Sequence, residues 1–203
     1  METSHRSDEA RGGRDAVRTR RSLLDAAAAV LAEDATATSL ATIAARAGVT
    51  KGALTHHFAS RDALFEALAD DSVERFRRRV RDRVDLSENR PGKLLRAYVN
   101  VLCDDVESPL GAGDAHDEYW SISLALHGTP AVERIFAEDA EWWTDNLRAD
   151  GLEPDRVTLV SLAVDGLAAL AVVNPGHARA MAPRVRAQLL ELVDGGVGES
   201  ARG

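Results

Sequence analysis

Apolar residues recur every three or four positions along most of this chain, and the alternation that marks a half-buried strand is missing. Ala, Leu, Arg, Glu and Asp dominate, and the pattern predicts an all-α protein. Residues 1–13 carry few apolar side chains and include Gly12-Gly13, so a disordered arm is expected there. A first helix is expected from about Asp15 to Glu33, with Val17, Leu24, Ala28 and Leu31 along one stripe. A short second helix starts near Ser39, capped by Thr38 or Ser39, and buries Leu40, Ile43, Ala44 and Ala47. Gly48 ends it at a position that tolerates positive φ. A third short helix runs from about Thr50 to His57, with Val49 and Leu54 pointing inward. Ser60 opens a long fourth helix that reaches about Arg83, carrying Phe65, Leu68, Ser72, Phe76 and Val80 on its apolar side.

The segment Asp85 to Pro91 is a polar break. Helices are then expected near 91–107, 114–127, 130–149, 154–173 and 177–193, with Pro130, Pro154 and Asn174-Pro175-Gly176 at three of their edges. The 108–113 stretch, Ser-Pro-Leu-Gly-Ala-Gly, is the most flexible connection by composition.

Charge divides the chain in two. Residues 1–83 hold 15 Lys+Arg against 13 Asp+Glu, whereas residues 84–203 hold 10 against 20, which gives the net charge of −8. A near-neutral head with local basic clusters on an acidic body suits a protein that touches DNA with its front part alone. No apolar run is expected to reach the roughly 18 residues of a membrane span, and the polar start lacks the apolar core of a secretory signal. A cytoplasmic location is the default expectation. One cysteine, Cys103, rules out an internal disulfide and a multi-cysteine zinc site.

Residues 39–58 read SLATIAARAGVTKGALTHHF, two short helices around a glycine turn, the composition of a helix-turn-helix. A recognition helix needs small and polar side chains so that its backbone can enter the major groove. Thr50, Lys51, Gly52, Ala53, Thr55 and His56 meet that need. Lys51 can reach a phosphate or a guanine edge, and the Ala53 methyl can meet a thymine methyl. Thr38, Ser39 and Thr50 at helix N-termini can bond phosphates alongside backbone N–H groups. His57 and Arg61 complete the expected DNA-contacting set. His56 and His57 are adjacent and diverge in direction, so no metal site is expected from them.

Residues 20–67 carry a more specific signal. Ile43-Ala44, Ala47-Gly48-Val49-Thr50, Gly52, His57-Phe58 and Ser60-Arg61-Asp62 match, position by position, the head of the TetR/AcrR family of one-component regulators, which this stretch resembles. Beyond it the resemblance extends to length, helical content and Asp165-Gly166-Leu167 within a hydrophobic helix. The resemblance implies a dimer, a phosphate contact from the residue at position 55, and repression relieved by a ligand. The family usually has Tyr where this chain has Thr55, which can donate a hydrogen bond but reaches less far. Ala35 stands where the family has Gly, and Arg61 stands where it has Lys, with the charge kept.

The domain organisation expected is therefore an arm (1–13), a three-helix helix-turn-helix domain (14–60), a connecting helix (61–84) and a helical ligand-binding and dimerisation domain (85–203). The basic run Glu74 to Arg83 is read first as a solvated helix face with Asp71–Arg75 and Glu74–Arg78 pairs, and second as a contact with DNA or with acids of the body. Arg6, Arg11 and Arg14 of the arm could enter a minor groove, although plain disorder is favoured.

The body shows no nucleophile elbow, phosphate loop or paired-histidine zinc helix, so neither an enzyme nor a cofactor is expected. Cys103 reads as a small buried hydrophobe. Tyr98, His116, Tyr119, Trp120, His127, Trp142 and Trp143, with Phe136, fall on three consecutive expected helices. Their packing would line a cavity between helices for an aromatic or cationic molecule, with ordinary core packing as the alternative. Val157, Val160, Val164 and Leu167, followed by Val185, Leu189 and Leu192, step by three and four, a seam that a twofold axis would turn into a four-helix dimer interface. Burial inside the monomer is the alternative. The function expected is a DNA-binding transcriptional regulator, a homodimeric repressor released from a palindromic double-stranded operator by a small-molecule effector. An activator or a ligand-independent DNA binder stands second, and a helical interaction module or enzyme third.

Overall fold

The computed structural model describes residues 2–33, 38–108 and 118–195, the side chains of 2–14 and 118 excepted. Among them every regular element is an α-helix: α1 Glu2–Glu33, α2 Leu40–Arg46, α3 Lys51–His57, α4 Arg61–Arg83, α5 Lys93–Glu107, α6 Glu118–Ala125, α7 Pro130–Arg148, α8 Pro154–Val173 and α9 Pro175–Asp194. Helix edges fall close to those the punctuation residues predict, because Pro130, Pro154 and Pro175 each occupy a first helical position, where a missing N–H costs nothing. The start of α1 differs. Its backbone is helical from Glu2, so the expected arm over 1–13 is replaced by a longer helix. Glu, Arg and Ala in that stretch have good helix propensity, and two glycines without a proline do not stop it.

Two compact units divide the chain, and the division falls within α4. Unit 1 comprises residues 1–71 and 122–133; unit 2 comprises 72–121 and 134–203. The expected boundaries, at 60/61 and 84/85, lie at the ends of α4, where composition changes. Which residues touch is decided by the side chains along α4. Leu64, Phe65 and Leu68 are buried in unit 1, while Phe76 and Val80 are buried in unit 2.

The core of unit 1 is built from Leu23, Leu24, Ala27, Ala28, Val30 and Leu31 of α1 with Ile43, Leu54, Phe58 and Leu64. Val17, expected on the buried stripe, is exposed instead. The end of α6, the turn after it and the start of α7 add Ile122, Leu126 and Val132 to the core residues of this unit.

Unit 2 is built on α5, α8 and α9, which pack against one another. Gly92 precedes α5 with φ of +88°, and a Cβ there would lie 2.7 Å from Leu152 and 2.9 Å from Val193, so only glycine fits. With no side chain at the cap, the Asp150 carboxylate accepts the Leu94 and Leu95 N–H groups at 2.7 and 3.1 Å.

Here the seam expected for dimerisation needs correction. Val157, Val160, Val164, Leu167 and Leu189 are buried inside the monomer, and Val185 is half-buried against the same core. Of that set Leu192 alone is exposed. The outer side of α8 is apolar as well, with Leu159 59% and Val173 76% exposed. Helical spacing finds a stripe but cannot say which of two apolar stripes faces inward. For the same reason α8 is, among the described residues, long and apolar enough to cross a membrane, contrary to the expectation that no such run exists. Its inner stripe is spent on the core of unit 2.

Candidate functional site

Each short helix of the head begins at a side-chain cap. Ser39 Oγ accepts the Thr42 N–H at 3.1 Å, Thr50 Oγ1 accepts the Ala53 N–H at 3.1 Å, and Ser60 Oγ accepts the Ala63 N–H at 3.0 Å. Such caps contribute about 1 kcal/mol each, which matters for seven-residue helices that would not persist alone. Gly48 links α2 to α3 with φ of +69°, and its N–H and that of Val49 bond to the Ala45 and Ala44 carbonyls at 3.1 and 3.0 Å.

The turn orients α3 so that Leu54 is buried while Lys51, Gly52, Thr55 and His56 are exposed. Those four fall on one side of the helix, a slim polar face. Ala53 and His57 flank it, half-buried. A Cβ on Gly52 would meet only Thr50 Oγ1, at 3.8 Å, so the fold itself does not demand glycine there. Bare backbone on an exposed recognition face permits close approach to a groove. Thr55 Oγ1 donates to the Gly52 carbonyl at 3.0 Å.

Not every expected contact residue lies on this face. Thr38 is 2% exposed, and its hydroxyl accepts the Arg61 guanidinium at 2.6 Å. Its hydroxyl is therefore enclosed rather than offered to a phosphate, which corrects the expectation. Arg61 also lies over the Phe65 ring at 4.8 Å, so it ties the approach to α2 to the start of α4. Two further supports carried no sequence signal, because both join residues far apart in the chain. Arg20 sits over Phe58 at 5.0 Å, and Arg21 pairs with Asp71 at 2.7 Å.

Unit 2 holds a cavity of about 300 Å³ whose walls include Tyr98, Tyr119, Trp120, Trp143, Leu162 and Asp165. The four aromatics are among those expected at a cavity, whereas Asp165 is not, because a lone acid in an apolar helix gives no direction. Trp142 lies behind the wall, its ring stacked 4.2 Å from the Arg77 guanidinium. His127 belongs to unit 1, is 83% exposed at its side chain and pairs with Glu133 at 3.4 Å, so it does not line this cavity. His116 lies outside the described residues, as does most of the 108–113 connection.

Rings contact one another around the cavity. Phe76 of α4 meets Tyr98, Tyr119 and Trp143 at centroid distances of 5.6, 4.9 and 5.4 Å. Beside them the Arg77 Nε donates to Asp139 at 2.6 Å, and the Tyr119 hydroxyl donates to the other oxygen at 2.6 Å. Burial pushes the Asp139 carboxyl up despite those bonds. Tyr98 donates to Asp165 at 2.6 Å, and burial raises the Asp165 pKa to about 6.

The basic run is thus not a plain solvated face. Arg77 and Arg79 engage Asp139 and Asp105, and Arg83 pairs with Asp104 at 3.4 Å. Glu74 pairs with Arg81 at 3.9 Å, not with Arg78 as its spacing suggested. Cys103 is buried, its thiol pushed up to about 11 by burial, as suits a packing residue.

A capped glycine turn that presents a slim, exposed polar helix, carried on a larger all-helical body with a cavity, defines a helix-turn-helix DNA-binding transcriptional regulator. Residues 23–68 match the model described as bacterial regulatory proteins, tetR family, and residues 92–194 match the tetracyclin repressor-like C-terminal domain. The chain belongs to the TetR family. The HTH-type transcriptional regulator BetI of Serratia proteamaculans is 31% identical over 156 residues, covering 74% of this chain and 76% of that protein. The crystal structure of the multidrug binding protein EbrR complexed with ethidium superimposes with a TM-score of 0.64 at 26% identity, over 86% of this chain and 98% of that one. A transcriptional regulator from Rhodococcus sp. Rha1 shares the fold with a TM-score of 0.69 at 23% identity, over 87% and 96% of the two chains.

Proposed function

We propose that this regulator is a repressor: a homodimer that grips a palindromic operator with two copies of α3 and releases it when a small molecule fills the cavity of unit 2. The observation that carries the reading is the face Lys51, Gly52, Thr55 and His56, exposed on a helix whose other side is packed. Two such faces about 34 Å apart would meet successive major-groove turns. Ser39 and Thr50, at the N-termini of α2 and α3, and His57 at the flank are assigned to the phosphates.

Release needs a path from cavity to head. Helix α4 is continuous from Arg61 in unit 1 to Arg83 in unit 2, and its Phe76 packs on cavity-wall rings. A ligand that prefers one setting of Phe76 biases α4, and lowers DNA affinity by no more than that preference. EbrR, which shares this fold, binds ethidium, a precedent for a ligand in such a body.

The dimer is assigned to the outer faces of α8 and α9, where Leu159, Leu162, Val173, Met181 and Leu192 are exposed. Leu159→Asp is expected to convert the dimer to monomer, raising its dissociation constant by roughly 100-fold or more, since the symmetric contact would bury two unpaired carboxylates. Sedimentation velocity reads this directly, and a dimer unchanged in strength would place the interface elsewhere. The reading as a whole is tested by selecting bound sequences from random duplex DNA. A twofold-symmetric consensus is expected, and a single unrepeated half-site would count against paired recognition helices.

A further inference from the structure

Two carboxylates stand near the aromatic side chains of unit 2, and their surroundings differ in one decisive respect. Asp139 has its charge matched by Arg77 at 2.6 Å and its second oxygen bonded to Tyr119. Asp165 lines the cavity, and its bonded partner is the neutral Tyr98 hydroxyl at 2.6 Å. Among the described residues no cation pairs with Asp165 or contributes to its electrostatics. Arg148, the cation on the cavity wall, is exposed to solvent.

We infer that the cavity recognises a monovalent organic cation with an aromatic or branched alkyl body, its charge set against the Asp165 carboxylate and its body against Tyr98, Tyr119, Trp120 and Trp143. The inference rests on the reading of this cavity as the effector site, and gives that effector a chemical class. A half-buried carboxylate without a counter-charge is costly, and an entering cation removes the cost. The ring faces around it carry negative potential and favour the same charge. An anion would meet an unscreened carboxylate, and a neutral molecule of the same shape would leave Asp165 as it was. One unmatched acid in a cavity of about 300 Å³ sets both the charge and the size of the guest.

The same geometry makes binding depend on pH. Burial holds the Asp165 carboxyl at about 6 in the ligand-free protein. The Tyr98 and Tyr119 hydroxyls facing it are pushed far up and stay neutral, and Asp139 is matched by Arg77. Asp165 is then the cavity group that changes charge between pH 5 and 8. A cation binds its ionised form, so affinity is full at pH 8 and is lost as pH falls through the pKa, by about 10-fold at pH 5.

The test uses the full-length protein, isothermal titration calorimetry and two probes of one shape: benzyltrimethylammonium and its neutral carbon isostere neopentylbenzene. The wild-type protein is expected to prefer the cation on the order of 10-fold or more at pH 8, with the preference fading towards pH 5. Asp165→Asn removes the preference and keeps neopentylbenzene binding. Tyr98→Phe keeps the carboxylate but removes the hydrogen bond that lowers its pKa, so the midpoint of the pH dependence moves up. That shift carries the test even if the Asn variant does not fold. Equal affinity of the wild-type protein for both probes, or a preference that survives in Asp165→Asn, overturns the cation while leaving the cavity as effector site. Failure of both probes to bind overturns the two readings together.

Discussion

Gly52→Glu is expected to abolish operator binding while leaving the fold intact. Thr50 caps α3, so Gly52 is the second residue of the helix, and a Cβ there meets nothing closer than Thr50 Oγ1 at 3.8 Å. A carboxylate near a helix N-terminus is favourable, and glutamate improves on glycine in a helix by as much as about 1 kcal/mol. Unfolding temperature should therefore hold or rise. On DNA the same carboxylate would enter a groove lined by phosphates, where backbone had been bare. Losing a base contact costs about 1–3 kcal/mol per site, and a symmetric dimer loses it twice, so a fall of at least roughly 30-fold is expected even before repulsion is counted. Lys51→Ala should weaken specific and random duplexes alike and flatten the salt dependence, as the loss of a phosphate contact does. Fluorescence anisotropy at several salt concentrations, beside a thermal melt, checks both variants. Unaltered operator affinity in Gly52→Glu would move the recognition surface off α3.

Arg77→Ala should be the most destabilising single change to a surface-reaching side chain in unit 2. Asp139 is 0% exposed at its side chain and takes its positive charge from Arg77. Removing one member of a buried pair costs about 3–5 kcal/mol, because the other charge stays buried, and lowers the melting temperature of a chain of this size by roughly 6–20 °C. The stacking of Arg77 on Trp142 is lost as well. The deficit should depend on pH in a definite direction. The Asp139 carboxyl already lies above its ordinary value, and loss of Arg77 raises it further. A group with a raised folded pKa adds stability below its unfolded value and loses it as pH rises through the folded value. Arg77→Ala should therefore look worst at pH 8 and recover towards pH 5. Asp139→Asn placed in the same background should remove much of the penalty, which a double-mutant cycle measures. Additive single effects would mean that the pair carries no coupling.

Much of the head was legible in advance because α2 and α3 are short, amphipathic and bounded by residues with unambiguous local chemistry. Ser39, Gly48, Thr50 and Ser60 act within three residues of themselves, so their roles follow from the chain alone. The exposed α3 face follows equally, since one side of a one-sided helix must face water. Thr38 departs from its expected role because its partner Arg61 lies twenty-three residues away, and no local rule brings them together. In the body the four wall aromatics were found by their grouping, whereas His127 was included by the same grouping and lies in unit 1. A cluster on paper records density along the chain, and it is blind to which way each side chain turns.

What the amino-acid order settled unaided was each element whose stability is local: where the helices start and stop, the glycine turn, and the side of α3 that stays wet. Those depend on backbone hydrogen bonds and caps within a few residues, which every copy of the sequence carries with it. Which apolar stripe of α8 is core, which arginine meets which acid, and why Asp139 is neutralised while Asp165 is not were decided by tertiary packing. Burial and pairing of charges depend on neighbours supplied by distant segments, and those neighbours exist only once the helices have come together.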